Sequence, residues 1–149
     1  MDLKMTNAER EAFLAGLHVG VISIEAADRA PLAVPIWYGY EPGGDVWIVT
    51  NRSSHKGRLI EATGRFSLCV QDEGAPYKYV SVAGEVSRIE PAEIERDLRP
   101  MARRYLGEEI GDLYVAQTAG AAESGDSVVI RMRPLRWFTA DYAKEFGQG

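Results

Sequence analysis

The sequence predicts a single, mainly β domain over residues 1–149, an antiparallel β-barrel with peripheral α-helices. Three observations lead there. About six segments have strand length, and most are β-branched or alternate apolar with polar residues. Most are joined by short segments rich in Gly, Pro and Asp. The helical patterns are few and do not alternate with the strands, which excludes a parallel α/β sheet.

The elements follow in order. Thr6 with Glu9 three residues on has the form of a capping box, and "NAEREAFLAGL" continues it as a helix. "VGVISI" (19–24) reads as a strand, "EAADRAP" as a turn and "LAVPIWYGY" (32–40) as the returning strand. "EPGGD" turns the chain again into "VWIVT", with Val46, Ile48 and Thr50 on one face. A short helix then ends near Gly64, a residue suited to a left-handed terminus. "RFSLCVQ" and "YVSVAGEVSRI" form the next pair, burying Phe66, Leu68 and Val70 on one side and Val80, Val82 and Val86 on the other. "EPAEIERDLRPMARRYLG" reads as a helix interrupted at Pro100, and "EEIGDLYVAQ" as a further short helix. "TAGAAESGD" is expected to be a loop, and "SVVIRMRPLRWFTADY" the last strand.

Composition narrows the function. The chain is 46% apolar and 26% charged with a net charge of −5, which argues against a general nucleic-acid binder. The lone cysteine, Cys69, lies in an apolar alternation and is expected to pack; it supports no disulfide framework. No apolar run approaches the roughly 20 residues that cross a bilayer. With an N-terminus lacking a signal-peptide core, the expected setting is cytoplasmic.

Against that acidic background, "TNRSSHKGR" (50–58) gathers Arg52, His55, Lys56 and Arg58 at a strand–helix junction. Cations are disfavoured there by roughly 0.3–1 kcal/mol each, because a helix N-terminus already carries partial positive charge. Free N–H groups, cap hydroxyls and cations together make a phosphate cradle. A solvated helix start with Arg58 paired to Glu61 is the competing reading. His18 and His55, the only histidines, have no metal-ligand spacing, and no catalytic acid, base or nucleophile constellation stands out. "GYEPGGD" lacks the context of a dinucleotide-binding turn. "PIWYGY" sets three aromatics on one strand, with Trp37 and Trp47 able to wall a flat ligand and "PYKY" and "RWF" adding more. An aromatic slot beside an anion seat is what a flavin-like cofactor needs.

The run from Gly20 to Glu90, with the final strand from Val128, resembles the pyridoxamine-phosphate-oxidase-like split β-barrel proteins. The similarity is to their actinobacterial branch that uses the deazaflavin F420. The carrying features are a strand with proline and tryptophan, a strand ending in threonine, a lysine at a helix start, "FSLCV", "PYKY" and "VAGEV". The resemblance implies an FMN-binding split barrel of antiparallel Greek-key type, and a homodimer with cofactor sites at its interface. It implies that the backbone of Pro35, Ile36, Trp37 and Tyr38 edges the ring system. Thr50 and Ser54 would hold the tail, and Lys56 with Arg58 the phosphate. Tyr79 and Trp137 would complete the pocket, from the same or the partner subunit. F420 is the expected cofactor and FMN the alternative, with hydride transfer to an electron-poor small molecule as the chemistry. A non-catalytic flavin, deazaflavin or haem carrier is the third reading. The ending "RPLRWFTADYAKEF" lacks the arginine-rich substrate signature of true pyridoxamine-phosphate oxidases, which counts against vitamin B6 oxidation.

Overall fold

A computed structural model describes residues 2–146. The capping box forms: the Thr6 hydroxyl accepts from the Glu9 N–H at 3.1 Å and the Glu9 carboxylate from the Thr6 N–H at 2.8 Å, starting α1 (Asn7–Ala15). The strands are β1 (Gly20–Ile24), β2 (Leu32–Ile36), β3 (Val46–Asn51), β4 (Arg65–Asp72), β5 (Lys78–Pro91) and β6 (Ser127–Asp141). Helix α2 (His55–Thr63) lies between β3 and β4 and ends at Gly64, whose φ of +69° is left-handed. Between β5 and β6 come a π-helical turn (Ile94–Leu98), α3 (Arg99–Leu106) and α4 (Glu108–Glu123).

All pairings are antiparallel, in the order β2-β1-β4-β5-β6-β3. The β3–α2–β4 connection skips β6 and β5 in the sheet order, the long return of a Greek key. The sheet curls until its two edges meet, but only once. Gly39, beyond the end of β2, exchanges two backbone hydrogen bonds with Trp47 of β3, at 2.9 and 3.0 Å. A Cβ at position 39 would fall 2.2 Å from the Trp47 ring, so this closure requires glycine. The barrel is therefore split, as the resemblance implies, while the expected strand 32–40 leaves the sheet after Ile36.

The alternation read in the sequence sets the core. Ile22, Leu68, Val80, Val82, Ile48 and Met132 point inward and are fully buried, each contributing about 1.5–3 kcal/mol of hydrophobic free energy. Val86, expected in the core, is only half-buried, because irregularities at Ala83/Gly84 and Val86/Arg88 break the β5–β6 register around it. Pro100 falls in the first turn of α3, where its missing N–H costs no helical bond, and the π-helical turn precedes it. Two more expectations change. Thr118–Glu123, expected as loop, is the last part of α4; alanine's helix propensity carries a segment with little amphipathic pattern. Cys69 is exposed rather than packed, because the pleat turns it outward between the inward-facing Leu68 and Val70.

Candidate functional site

Where β2 departs from the sheet, the chain between Pro35 and Trp37 borders a cavity of about 290 Å³. Val19 and Val49 come from the barrel side, Leu98, Met101 and Ala102 from the π-helical turn and α3, and Tyr114 from α4. Lys56 supplies the only charge on this lining. The aromatic side is ordered by contact. Trp37 stacks on Tyr105 with centroids 5.0 Å apart and planes 4° from parallel, and meets Tyr114 at 5.1 Å and 51°. The Tyr105 hydroxyl accepts from the Tyr38 N–H at 3.2 Å and donates to the His18 carbonyl at 2.6 Å. It thereby fixes α3 against the open stretch of the barrel.

A second cavity of about 550 Å³ adjoins the first through Val49, Lys56, Leu98 and Tyr114. Its character is polar: Thr50, Asn51, Ser54 and Ser127 line it from the barrel side, Gln117 and Thr118 from α4. Among the described residues, no carboxylate lines either cavity. Lys56 thus stands at the junction of an aromatic chamber and a polar one.

The electrostatics of this junction come from α2. Ser54 caps the helix, its hydroxyl accepting from the Gly57 N–H at 3.0 Å and donating to the Asn51 carbonyl at 2.6 Å. That leaves the N–H groups of His55 and Lys56 without hydrogen-bond partners among the described residues. The helix start is pressed against the end of β3, for a Cβ on Gly57 would lie 2.3 Å from the Asn51 carbonyl oxygen. Asp126, the nearby acid, is committed to Ser53, accepting from its N–H at 3.0 Å and its hydroxyl at 2.7 Å. Burial lowers the pKa of the half-buried Lys56 below the usual lysine value, since no counter-charge offsets its desolvation. Among the described residues, the side chains of Arg52, His55, Lys56 and Arg58 make no hydrogen bond or ion pair, and the Arg58–Glu61 pair does not form. A cation held partly out of water with free N–H groups beside it can take an anion as its partner.

Of the residues singled out in the sequence, Pro35, Ile36, Trp37, Thr50, Ser54 and Lys56 come together on these two cavities. The others lie elsewhere. The Tyr38 side chain is in the core, its hydroxyl donating to the Leu14 carbonyl at 2.6 Å, and its backbone N–H is taken by Tyr105. Arg58 is exposed beyond the cavity linings. Tyr79 faces outward on β5, opposite Gln71. Trp137 packs under the Arg10 guanidinium, 4.4 Å from its ring, and beside Tyr40. Trp47 packs over Gly39 instead of walling the groove.

Sequence reading missed Tyr105, Met101, Tyr114, Gln117 and Thr118. Tyr114, Gln117, Thr118 and Ala121 have the i, i+3, i+4, i+7 spacing of one helix face, a signal that needs α4 extended to its full length.

The donor set suits a phosphate-bearing aromatic cofactor: a flat apolar chamber, then a cation with free N–H groups, then hydroxyls and amides. Comparison with known proteins agrees with that geometry. The family model described as pyridoxamine 5'-phosphate oxidase matches residues 6–141. No curated protein sequence matches the chain. Among solved structures, an F420 reductase is 24% identical with a TM-score of 0.70, covering 86% of this chain and 94% of its own. A conserved hypothetical protein from Mycobacterium tuberculosis is 21% identical with a TM-score of 0.73, over 99% and 91%. A FAD-binding protein from Mesorhizobium loti is 21% identical with a TM-score of 0.63, over 91% and 94%. At these identities the likeness is one of fold.

Proposed function

The chain belongs to the pyridoxamine 5'-phosphate oxidase family, and on that premise we propose that it is an F420H2-dependent reductase working as a cytoplasmic homodimer. The single observation that carries this reading is Lys56, a half-buried cation without a partner among the described residues, where the aromatic and polar cavities meet. When bound, the reduced deazaflavin supplies a hydride from its C5 to an electron-poor conjugated acceptor such as a quinone, enone or tetrapyrrole.

The protein's own part is binding, orientation and exclusion of water. Lys56 and the N–H groups of His55 and Lys56 hold the phosphate. Thr50 faces the same cavity, while the Ser54 hydroxyl, already spent on the cap, acts by holding α2 in place. Backbone groups of Ile36 and Trp37, beyond the paired part of β2, edge the ring, and Met101, Ala102 and Tyr114 cover it from α3 and α4. Among the described residues no carboxylate or histidine lines the two cavities; with Lys56 engaged by the phosphate, the acceptor's proton comes from Tyr114 or solvent.

Two features favour F420 over FMN. The polar cavity continues past Lys56 along Gln117 and Thr118, room that a cofactor ending at its phosphate leaves unused. Arg52 and Arg58, exposed and unpaired among the described residues, are available to a longer acidic tail. FMN-dependent oxidation or reduction is the second reading, because the phosphate seat serves both cofactors alike. Reoxidation of F420H2, followed by absorbance against a panel of quinones and enones with reduced FMN in parallel, tests the proposal. Acceptor-dependent turnover with F420H2 supports it. Near-stoichiometric FMN in the purified protein, with no F420 turnover, would overturn the cofactor assignment.

A further inference from the structure

Resting on the reading of the groove as a flavin-type site, we infer that Tyr105 is a positioning residue for the cofactor ring. Its hydroxyl takes the place of one rung of the β1–β2 ladder, holding that edge of the sheet open and fixing the chain that borders the ring.

The strand register shows where the rung belongs. Antiparallel pairing matches each step back along β1 with one step forward along β2, so Ile22 faces Val34, Val21 faces Pro35 and Gly20 faces Ile36. Carried two residues further, the same register sets Val19 against Trp37 and His18 against Tyr38. Bonded and non-bonded pairs alternate along such a ladder. Pro35 has no N–H to give, which suits the non-bonded pair with Val21. The bonded pairs are then those of Ile22 and Gly20, and the next is His18 with Tyr38.

That rung does not form. Among the described residues no backbone hydrogen bond joins His18 to Tyr38, and the paired strands stop at Gly20 and Ile36. The Tyr105 hydroxyl stands in the gap. It accepts from the Tyr38 N–H at 3.2 Å, donates to the His18 carbonyl at 2.6 Å and lies 3.2 Å from the Tyr38 carbonyl. A direct bond would span about 2.9 Å. The inserted hydroxyl satisfies both backbone groups while keeping the two chains apart. Burial raises the Tyr105 pKa above the ordinary tyrosine value, so the hydroxyl keeps the proton it donates.

The gap is where the groove opens. Val19 and Trp37, the pair between the last formed rung and the hydroxyl, both line the aromatic cavity. Tyr105 also stacks its ring on Trp37, so one residue sets the spacing of the two chains and the orientation of the indole. Beyond Ile36 the next backbone-to-backbone tie is that of Gly39 to Trp47, which leaves the Trp37–Tyr38 peptide held by the Tyr105 hydroxyl. The neighbouring Arg104 donates to the Ala15 and Gly16 carbonyls, both at 3.0 Å. Helix α3 thus grips the chain entering β1 and the chain leaving β2 together. A tie of this kind acts on geometry and should show in rate more than in phosphate affinity.

Tyr105→Phe tests it, because the ring stays in the gap and only the hydroxyl's bonds are lost. In the cofactor-free protein the Tyr38 amide, followed by NMR, should exchange with deuterium roughly tenfold faster. At saturating F420H2 and acceptor, turnover should fall by about 10²-fold, the cost of a misplacement of about 1 Å. Inorganic phosphate should compete with the cofactor as it does in the wild type, and the visible circular dichroism of bound FMN should change. Arg104→Ala loosens the same helix from the same segment but leaves the hydroxyl, so exchange at Tyr38 and the FMN signal should stay those of the wild type. Unchanged exchange at Tyr38 in Tyr105→Phe, faster exchange with turnover and FMN signal intact, or the same changes in Arg104→Ala would overturn the positioning role. A wild type that binds neither cofactor overturns the flavin reading instead, and exchange at Tyr38 then decides the rung without it.

Discussion

Replacing Lys56 by alanine should move stability and binding in opposite directions. In the protein without cofactor the ammonium is half-buried, has no partner and stands at the N-terminus of α2. Its removal relieves a like-charge interaction with the helix terminus of about 0.3–1 kcal/mol and restores alanine's helix propensity, so the melting temperature should hold or rise slightly. A charge-assisted hydrogen bond to phosphate contributes about 1.5–3 kcal/mol. Its loss should raise the Kd for F420 or FMN by roughly 10- to 150-fold. Fluorescence titration of the cofactor, with thermal unfolding of the cofactor-free variant, reads both numbers. A fall in apo stability with an unchanged Kd would refute the reasoning, because it would make Lys56 a structural residue. The wild-type Kd should also rise at alkaline pH, beginning below the ordinary lysine value of 10.5, as the depressed Lys56 loses its proton.

Gly57→Ala should destabilise by about 1–3 kcal/mol in chemical denaturation, because the Cβ meets the Asn51 and Arg52 carbonyl oxygens at 2.3 and 2.9 Å; cofactor affinity should fall with it. Tyr105→Phe should cost about 1–3 kcal/mol of stability, leaving the Tyr38 N–H and His18 carbonyl without their shared partner. Glu9, held at a pKa of about 2 by the Lys144 ammonium and the Thr6 cap, contributes stability fully present above its ordinary value of 4.5. That contribution should vanish as pH falls through about 2, and Glu9→Gln should flatten this part of the acid unfolding curve.

What the sequence made legible was local. Thr6 and Glu9 lie three residues apart, Gly64 follows the last helical turn directly, and the alternation around Leu68 and Val82 needs only the pleat. The placement of Lys56 in the first turn of α2 belongs to the same class, since the helix start is written within a few residues. What was hidden depends on non-local packing. Trp37 faces Tyr105 and Tyr114, about 70 residues further on, brought back by α3 and α4 across the open stretch of the barrel. Arg99 and Arg103 of α3 both bind Asp112 of α4, at 2.7 and 2.8 Å, so the helices that cover the groove are tied to each other. Trp137 could be assigned to core or pocket only once Arg10 was known to lie over its ring. Cys69 is the exception, a local feature misread: it shares its face with Ser67 and Gln71, so the pleat that buries Leu68 and Val70 turns it outward.

The central claim is that the junction at Lys56 binds the phosphate of a flavin-type cofactor whose ring lies against the Trp37 side. Titrating the purified protein with F420 and with FMN, while following tryptophan fluorescence and competing with inorganic phosphate, tests it most directly. Saturation at one cofactor per chain is predicted, with quenching that is absent in Trp37→Phe and affinity that falls as phosphate rises. Failure of both cofactors to bind, or binding indifferent to phosphate and to Trp37, would contradict it.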